Sequence, residues 1–265
     1  MSFSISGKTA IVTGAANGIG LAIARHFADR GANVMCADMD EAGLIDELGE
    51  ASEDGNLRYF AGDLRQRLTI ANLISATIDA FDRVDILVNA SRQVLTTDAL
   101  DAEDTSLEQL LEQNVMTPFH LTQQVAKRMI KQAKDDDGPA GAIVNLSSIT
   151  ARVTRPELLA FSVAAAGLEQ MTRNMALVLA EHRIRVNAVA FGSVMSASLQ
   201  ATLRERADWR DEIEAQTPLG RIASPTELVE AVHYLASDAA SFVSGEVITV
   251  DGGRGLLDAV AAPAH

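Results

Sequence analysis

Cysteine, lysine and the larger aromatic residues are scarce in this sequence. Its 265 residues include one cysteine, four lysines, two tyrosines and one tryptophan. The single cysteine, Cys36, excludes an internal disulfide and fits a reducing compartment. Its apolar neighbours, Val34, Met35 and Ala37, predict that it lies in a buried strand.

Long apolar runs are also missing, and none approaches the length needed to span a bilayer. The first segment, Met1 to Gly7, has no basic stretch followed by a long apolar one, so we expect no export and a cytoplasmic protein. The net charge of −14 argues against nucleic acid and against an anionic membrane as partners, because both carry negative charge.

Metal-ligand patterns are the third absence. The five histidines are scattered, and no Cys/His cluster has the spacing of a metal site, so the sequence predicts no metal. The acidic run Asp135-Asp136-Asp137 precedes Gly138-Pro139, and we interpret it as a solvated loop.

Short apolar runs alternate with amphipathic stretches along the whole chain. The predicted strands are Thr9–Val12, Asn33–Ala37, Leu57–Ala61, Asp85–Val88, Ala142–Asn145, Arg185–Ala188 and Val247–Val250. The predicted helices are Ile19–Arg30, Glu41–Leu48, Arg67–Phe81, Ser106–Gln132, Glu157–Ala180 and Thr226–Ala236. Strands separated by helices of this length form right-handed βαβ units. With no linker or repeat, residues 1–265 are predicted to form one doubly wound α/β domain, whose parallel sheet is covered on both faces.

The segment Phe161–Ala180 is apolar around most of its helical circumference. Its apolar residues include Val163, Ala164, Ala165, Ala166, Leu168, Met171, Met175, Ala176, Leu177 and Val178. A helix with so little polar surface is buried on more than one side. Inside one domain, part of that surface can meet only another subunit, so we expect an oligomer.

A glycine-rich turn, Thr13 to Gly20, follows the first predicted strand and opens the first predicted helix. Such glycines let the backbone approach a pyrophosphate, which then lies at the helix N-terminus. Asp38 lies 20 residues after Gly18, where a carboxylate can accept hydrogen bonds from both adenosine ribose hydroxyls. Its charge would repel a 2′-phosphate, and neither Asn17 nor Met39 supplies a compensating cation, so NAD(H) is favoured over NADP(H).

Further motifs complete a recognisable series. In order they are Thr13–Gly20, Asp38, Asp63-Leu64, Asp85–Ala90, Asn114, Asn145–Ser148 and Val250–Gly253. With them the chain resembles the short-chain dehydrogenase/reductases, and its segment from Pro218 to Gly245 resembles the acyl-carrier-protein reductase and hydroxysteroid dehydrogenase type. The resemblance implies a nicotinamide-dependent oxidoreductase acting on CH–OH groups, a seven-stranded Rossmann sheet and a substrate lid at 193–216. It also implies a homotetramer built through the Ser106–Gln132 and Glu157–Ala180 helices.

The resemblance assigns roles to individual residues. The implied cofactor-binding residues are Gly14, Asn17, Gly18, Ile19, Gly20, Asp38, Met39, Asp63, Leu64, Asn89, Ala90, Gly192 and Val194. Asp63 would meet the adenine ring, while Asn89 and Ala90 would line the adenosine side. Ser148 would hydrogen-bond the substrate oxygen, and Asn114 would hold a water in the proton relay. The alternatives are a locally satisfied hydroxyl for Ser148 and a structural amide for Asn114.

The sequence departs from the family at the reacting end. The family's catalytic tyrosine and lysine positions hold Phe161 and Ala165, which lose the proton donor and the cation that lowers the pKa of the phenol. Arg92 stands where the family has a glycine, and Phe191-Gly192 replaces its Pro-Gly pair. The residues at the cofactor end therefore match the family pattern in type, while the reacting end departs from it at four positions.

Replacements for the lost pair are few. Glu157, one helical turn before Phe161, is the best local proton donor, and an ordinary N-terminal helix carboxylate is the alternative. Arg152 and Arg155 are predicted on the substrate side, either receiving an anion or lying in solvent. The lid contains Met195, Leu199, Leu203 and Trp209 at roughly helical spacing, which would line an apolar substrate or only pack. The tail 255–265 carries no assignment.

Three functions follow from this pattern. The first is an NAD(H)-binding protein with little or no ordinary carbonyl/alcohol activity, which serves as a structural, regulatory or partner subunit. The second is a working oxidoreductase that interconverts an alcohol and a ketone with a proton from water, the substrate or Glu157. The third is a different reaction in the same cleft, such as elimination or isomerisation.

Overall fold

The computed structural model describes residues 2–49, 55–134 and 137–258. Two of the predictions fall partly outside these ranges. Asp135 and Asp136 of the acidic run lie outside the described residues, and so do residues 259–265 of the predicted tail.

Seven parallel strands form one sheet, as predicted. The strands are β1 Thr9–Thr13, β2 Asn33–Asp38, β3 Leu57–Ala61, β4 Ile86–Asn89, β5 Gly141–Ser148, β6 Ile184–Phe191 and β7 Val247–Val250. Their order across the sheet is β3-β2-β1-β4-β5-β6-β7, so the winding direction reverses between β1 and β4. In such sheets the ligand crevice lies at this reversal, outside the carboxyl ends of the strands.

Helices cover both faces of the sheet. They are α1 Gly18–Asp29, α2 Glu41–Leu48, α3 Arg67–Phe81, α4 Ser106–Leu111, α5 Thr117–Gln132, α6 Leu159–Ala180, α7 Ala197–Glu205, α8 Asp208–Ala215 and α9 Pro225–Ala236. One core packs α1 and α9 against strand residues such as Ala10 and Val12. The other packs α3, α5 and α6 against residues such as Ile11. Strand side chains that alternate between two apolar cores confirm the doubly wound arrangement.

Two strands extend further than the sequence predicts. The predictions Ala142–Asn145 and Arg185–Ala188 end three residues before β5 and β6 do. Ser147 and Ser148 resemble loop residues in sequence, but they pair with Ala190 and Phe191 at the end of the ladder. This extension places Ser148 at the carboxyl edge of the sheet, where the crevice is.

The predicted helix Ser106–Gln132 is interrupted. Residues Glu112–Met116 form a wide, π-type turn between α4 and α5. The Thr117 hydroxyl donates to the Glu112 carbonyl at 2.9 Å, which satisfies an acceptor that the wider turn releases. Single π-turns inside helices are frequent at functional sites, and this one contains Asn114.

The remaining helical predictions differ at their ends. The predicted helix Glu157–Ala180 begins with a 3₁₀ turn at Pro156–Leu158 before α6. The predicted lid holds two helices, α7 and α8, instead of one amphipathic stretch. Among the described helices, none is both long and apolar enough to cross a bilayer.

Candidate active site

The glycine-rich turn joins the end of β1 to the start of α1 by close backbone packing. Gly14 has φ of +68°, and a Cβ there would lie 2.8 Å from the Cα of Ser91. A Cβ on Gly20 would overlap the Gly14 carbonyl oxygen. The Thr13 hydroxyl accepts hydrogen bonds from the backbone N–H groups of Ala90 and Ser91, each at 3.0 Å. The turn, the first α1 residues and the end of β4 therefore form one compact wall of the crevice.

Asp38 closes the other side of this wall at the end of β2. Its carboxylate accepts hydrogen bonds from the N–H groups of Ala16 and Asp40, each at 3.1 Å. A cavity of about 510 Å³ opens beside it. Eight of the predicted cofactor residues line that cavity: Gly14, Asn17, Gly18, Ile19, Gly20, Asp38, Met39 and Ala90. The helix N-terminus and a fixed carboxylate thus face one open space, as a dinucleotide requires.

A cation that the sequence analysis did not consider lies at the same cavity. Arg65 lines it, and its guanidinium donates two hydrogen bonds of 2.9 Å to the Asp63 carboxylate. These bonds hold the pKa of Asp63 below its ordinary value. Arg65 lies two positions after Asp63, so the spacing of the pair is visible in the sequence.

Four other predicted cofactor residues do not line this cavity. Leu64 and Val194 are buried in the two cores, so they offer a ligand their backbone only. Gly192 lies against Asp251 and Ile149. The buried amide of Asn89 donates to the Asn145 side chain at 2.8 Å and to the Thr122 hydroxyl at 3.3 Å. Asn89 lines a second, smaller cavity rather than the open one.

The second cavity lies at the carboxyl ends of β4 and β5 and has a volume of about 10 Å³. That is close to the smallest volume that holds one water molecule. Its lining includes Asn89, Ser91, Arg92, Asn114, Pro118, Leu146, Ser147, Ser148, Phe161, Ala165 and Leu168. The fold therefore brings together both predicted catalytic residues and both positions of the lost pair.

Phe161 and Ala165 supply only apolar surface to this cavity. They lie one turn apart on α6, and each is 6% exposed. Neither side chain carries a proton donor or a charge. Across the cavity, the Ser148 hydroxyl accepts a hydrogen bond of 3.2 Å from the Thr150 N–H, so its proton and one lone pair remain available to a substrate oxygen.

The Asn114 side-chain amide forms two hydrogen bonds with the backbone of one residue. Its oxygen accepts from the Gln93 N–H and its nitrogen donates to the Gln93 carbonyl, both at 2.8 Å. Gln93 follows Arg92 in the chain, so the π-type turn anchors the loop that carries Arg92. One N–H and one lone pair of the Asn114 amide are thus used structurally.

Arg92 extends across the reacting end of the cleft. Its guanidinium carbon lies 4.3 Å from the centroid of the Phe191 ring and 6.0 Å from that of Phe161. Arg92 as a whole residue stays exposed, but burial around its guanidinium lowers its pKa to about 10. It remains a cation at neutral pH. The sequence indicated a long cation here, but only the fold shows that it points between these two rings.

Comparisons with known proteins agree with this geometry. Residues 14–254 match the family model described as enoyl-(acyl carrier protein) reductase. The chain is 34% identical over 252 residues to the 3-oxoacyl-[acyl-carrier-protein] reductase of Thermotoga maritima, covering 94% of this chain and 98% of the relative. The chain belongs to the short-chain dehydrogenase/reductase family.

Other members of the short-chain dehydrogenase/reductase family cover the chain equally well. The cis-4-hydroxycyclohexanecarboxylate dehydrogenase of Sinomonas cyclohexanicum is 37% identical over 248 residues, covering 93% of this chain and 96% of the relative. A solved 7α-hydroxysteroid dehydrogenase, in complex with NADH and 7-oxo glycochenodeoxycholic acid, aligns with a TM-score of 0.84. That structure is 30% identical and covers 95% of each chain.

The other candidates for short-chain dehydrogenase chemistry lie outside the small cavity. The exposed Glu157 carboxylate lies 3.6 Å from Arg155. Arg155 also lies 3.6 Å from Glu212 on α8. Arg152 contacts the buried carboxylate of Glu169 at 3.4 Å and donates to the Thr249 hydroxyl at 3.2 Å. Glu157 is thus not among the residues that line the small cavity, and both arginines are held by protein partners.

Two histidines that are 207 residues apart meet far from this cleft. His26 Nε2 and His233 Nδ1 are 2.7 Å apart, between α1 and α9, and His233 Nε2 lies 2.7 Å from the Phe3 carbonyl oxygen. With Glu230 they form a group that could hold a metal ion. The nitrogen–nitrogen distance is that of a hydrogen bond, and Arg30 pairs with Glu230 at 3.4 Å. Burial lowers the pKa of His26, which favours the neutral ring.

Proposed function

We propose that this short-chain dehydrogenase/reductase binds NAD(H) and has weak or no ordinary alcohol–ketone activity. The observation that carries the proposal is the difference in volume between two cavities of one cleft. The cavity beside the glycine-rich turn and Asp38 has about 510 Å³, whereas the cavity at Ser148 has about 10 Å³. The larger cavity would accommodate the cofactor. The smaller one would accommodate a substrate carbonyl only if Arg92 moved.

The preference for NAD(H) over NADP(H) rests on Asp38. Its carboxylate is fixed by two backbone N–H groups at the cavity wall, where it would accept the ribose hydroxyls. Arg65, the nearby cation, forms a bidentate pair with Asp63 through its Nε and one Nη. A 2′-phosphate would therefore be repelled by the Asp38 carboxylate, while the nearby cation is already paired with Asp63.

The test is NADH oxidation over a panel of carbonyl compounds, comparing the native protein with Phe161→Tyr/Ala165→Lys and with the triple variant that adds Arg92→Gly. A lysine at 165 would share the small cavity with the Arg92 guanidinium, so we expect the triple variant to be the more active. General acid–base assistance is worth about 10²–10⁴-fold, which sets the expected gain over the native rate.

Two controls separate lost chemistry from lost binding. NADH affinity, measured by fluorescence titration, should stay within a few-fold in all variants. Phe161→Tyr alone should remain slow, because an unassisted phenol has a pKa of about 10. Native turnover faster than that of both revertants would contradict weak activity, and failure of the native protein to bind NADH would contradict the whole proposal.

The alternative function is an NAD-dependent oxidoreductase with a non-standard proton source. Ser148 and the Arg92 guanidinium line the same small cavity. Together they would polarise a carbonyl and stabilise the alkoxide that hydride transfer creates, with water delivering the proton afterwards. Native turnover that is lost in Arg92→Met and retained in Glu157→Gln would favour this alternative.

We further propose that the chain assembles with copies of itself or with a full-motif relative. Helix α6 leaves apolar side chains in solvent, with Leu177 78% exposed and Val178 59% exposed. Contiguous exposed apolar residues on a buried-type helix mark an interaction surface. Sedimentation at micromolar concentration tests the self-assembly, and a monomer would leave only the mixed complex.

A further inference from the structure

Among the described residues, Arg92 has no anionic partner, whereas three other arginines around the cleft have one. Arg65 is paired with Asp63, Arg152 with Glu169 and Arg155 with Glu157. Within the described ranges, no carboxylate forms an ion pair with the Arg92 guanidinium and no acceptor takes a hydrogen bond from it. The packing of this exposed residue against two aromatic rings leaves its N–H donors available to a ligand.

An aromatic ring covers one face of the Arg92 guanidinium. One face lies against the Phe191 ring at 4.3 Å, a distance typical of a cation–π contact. The rim of the guanidinium, with its five N–H donors, is not used by that contact. This planar fork matches a carboxylate through two parallel hydrogen bonds.

The position of Arg92 limits the size of such a ligand. Arg92 lines both the open cavity and the small cavity that contains Ser148. Because Arg92 and Ser148 line the same small cavity, one small molecule can contact both residues. A carboxylate on Arg92 would then place the adjacent carbon, with its oxygen, next to the Ser148 hydroxyl.

We propose that Arg92 is a carboxylate-binding residue and that the cleft takes a small 2-oxo or 2-hydroxy acid. This rests on the proposed function, because the acid would bind beside NAD(H) in the same cleft. The net charge of −14 repels anions in general, so a local cation is what makes such a ligand acceptable. We expect the Arg92 guanidinium, which lines both cavities, to shift toward the open cavity together with the bound carboxylate, which makes space beside Ser148 for the neighbouring oxygen.

The experiment is calorimetric titration of the NADH-loaded protein with oxamate, a non-reacting 2-oxo acid analogue, and with oxamide, its neutral counterpart. We expect oxamate to bind and oxamide to bind at least about 10-fold more weakly, since hydrogen bonds to charged groups contribute about 1.5–3 kcal/mol. Arg92→Met roughly keeps the length of the side chain and removes the charge. It should lower the affinity for oxamate by a similar factor. Arg92→Lys should give an intermediate affinity, because it keeps the charge without the fork.

Arg155→Met is the matched control, because it removes another arginine from the substrate side without touching the small cavity. It should leave oxamate affinity unchanged. Equal affinities for oxamate and oxamide, or an unaltered oxamate affinity in Arg92→Met, would overturn the proposal. The proposal would also be overturned if Arg92→Met lost NADH affinity and kept oxamate affinity, because Arg92 would then bind the cofactor. If the native protein failed to bind NADH, the proposed function would fail, and oxamate titration without NADH would still test Arg92.

Discussion

The two halves of the cleft are built from the same sheet edge but are filled in different ways. On the β1–β2 side, glycines and a carboxylate held by backbone N–H groups leave about 510 Å³ open. On the β4–β5 side, Phe161, Ala165 and Arg92 reduce the space beside Ser148 to about 10 Å³. Binding and chemistry are therefore separable in this fold, since one half can be rebuilt while the other keeps its geometry.

The reacting half also differs in how its charge is placed. The family resemblance implies a lysine cation on α6, one turn after a tyrosine. Here α6 is apolar at both positions, and the cation enters from the loop after β4 instead. The small cavity is thus lined by a cation from another element, whereas the resemblance implies a lysine on α6.

The largest expected effect comes from closing the open half. In Gly20→Ala the new Cβ meets the Gly14 carbonyl oxygen, so the turn must move away from the pyrophosphate position. Losing two hydrogen bonds to a charged group corresponds to about a 100-fold or greater loss of NADH affinity. Fluorescence titration measures it. Gly167→Ala is the matched control, because its Cβ would lie 3.6 Å from Val115, an ordinary contact.

A smaller change should alter the selectivity of the open half without closing it. Asp38→Asn keeps the shape of the side chain and removes the charge that would repel a 2′-phosphate. We expect NADH affinity to fall about 10-fold and NADPH affinity to rise by a similar factor, in line with the free energy of hydrogen bonds to charged groups. Paired titrations with NADH and NADPH give both values.

Asp40→Asn controls for the change in net charge. Asp40 lies two residues away and caps α2 by accepting from the Gly43 N–H at 3.0 Å, and it does not line the open cavity. Its substitution should leave the ratio of the two affinities unaltered. If Asp38→Asn and Asp40→Asn changed the ratio equally, selectivity would come from the overall field and not from a contact at the ribose.

Sequence patterns predicted the frame more fully than the reacting half. The seven strands were found because apolar runs between helices mark a parallel sheet, and β3 and β7 have the predicted bounds. Ser147 and Ser148 were missed as strand residues because their pairing with β6 depends on a partner 43 residues away. The π-type turn at Glu112–Met116 was also missed, since its period differs too little from that of an α-helix to be visible in sequence.

Contacts between distant segments explain the other differences. Arg92 was recognised as a departure from the family, but its direction depends on Phe161 and Phe191, which lie on α6 and β6. His26 and His233 looked scattered because 207 residues separate them. The spacing of residues along the sequence reveals a site that one segment forms. It does not reveal a site that forms between two packed helices.

The smallest expected effect concerns the anchor of the Arg92 loop. In Asn114→Ala the Gln93 N–H and carbonyl lose their partners, so the loop after β4 should open more often. A net loss of about 1–1.5 kcal/mol corresponds to roughly 10-fold faster hydrogen exchange at the Gln93 amide. Exchange followed by mass spectrometry of a peptide spanning residues 91–100 measures it.

Asn187→Ala makes this last prediction specific to the reacting half. Asn187 is a buried amide on β6 with the same double role, donating to the Val243 carbonyl at 2.9 Å and accepting from the Glu246 N–H at 3.0 Å. Both variants should lower the free energy of unfolding by similar amounts, because each leaves two backbone groups unpaired. Only Asn114→Ala should speed exchange at Gln93. Equal exchange in the two variants would mean that the position of Arg92 depends on its contacts with the rings and not on the π-type turn.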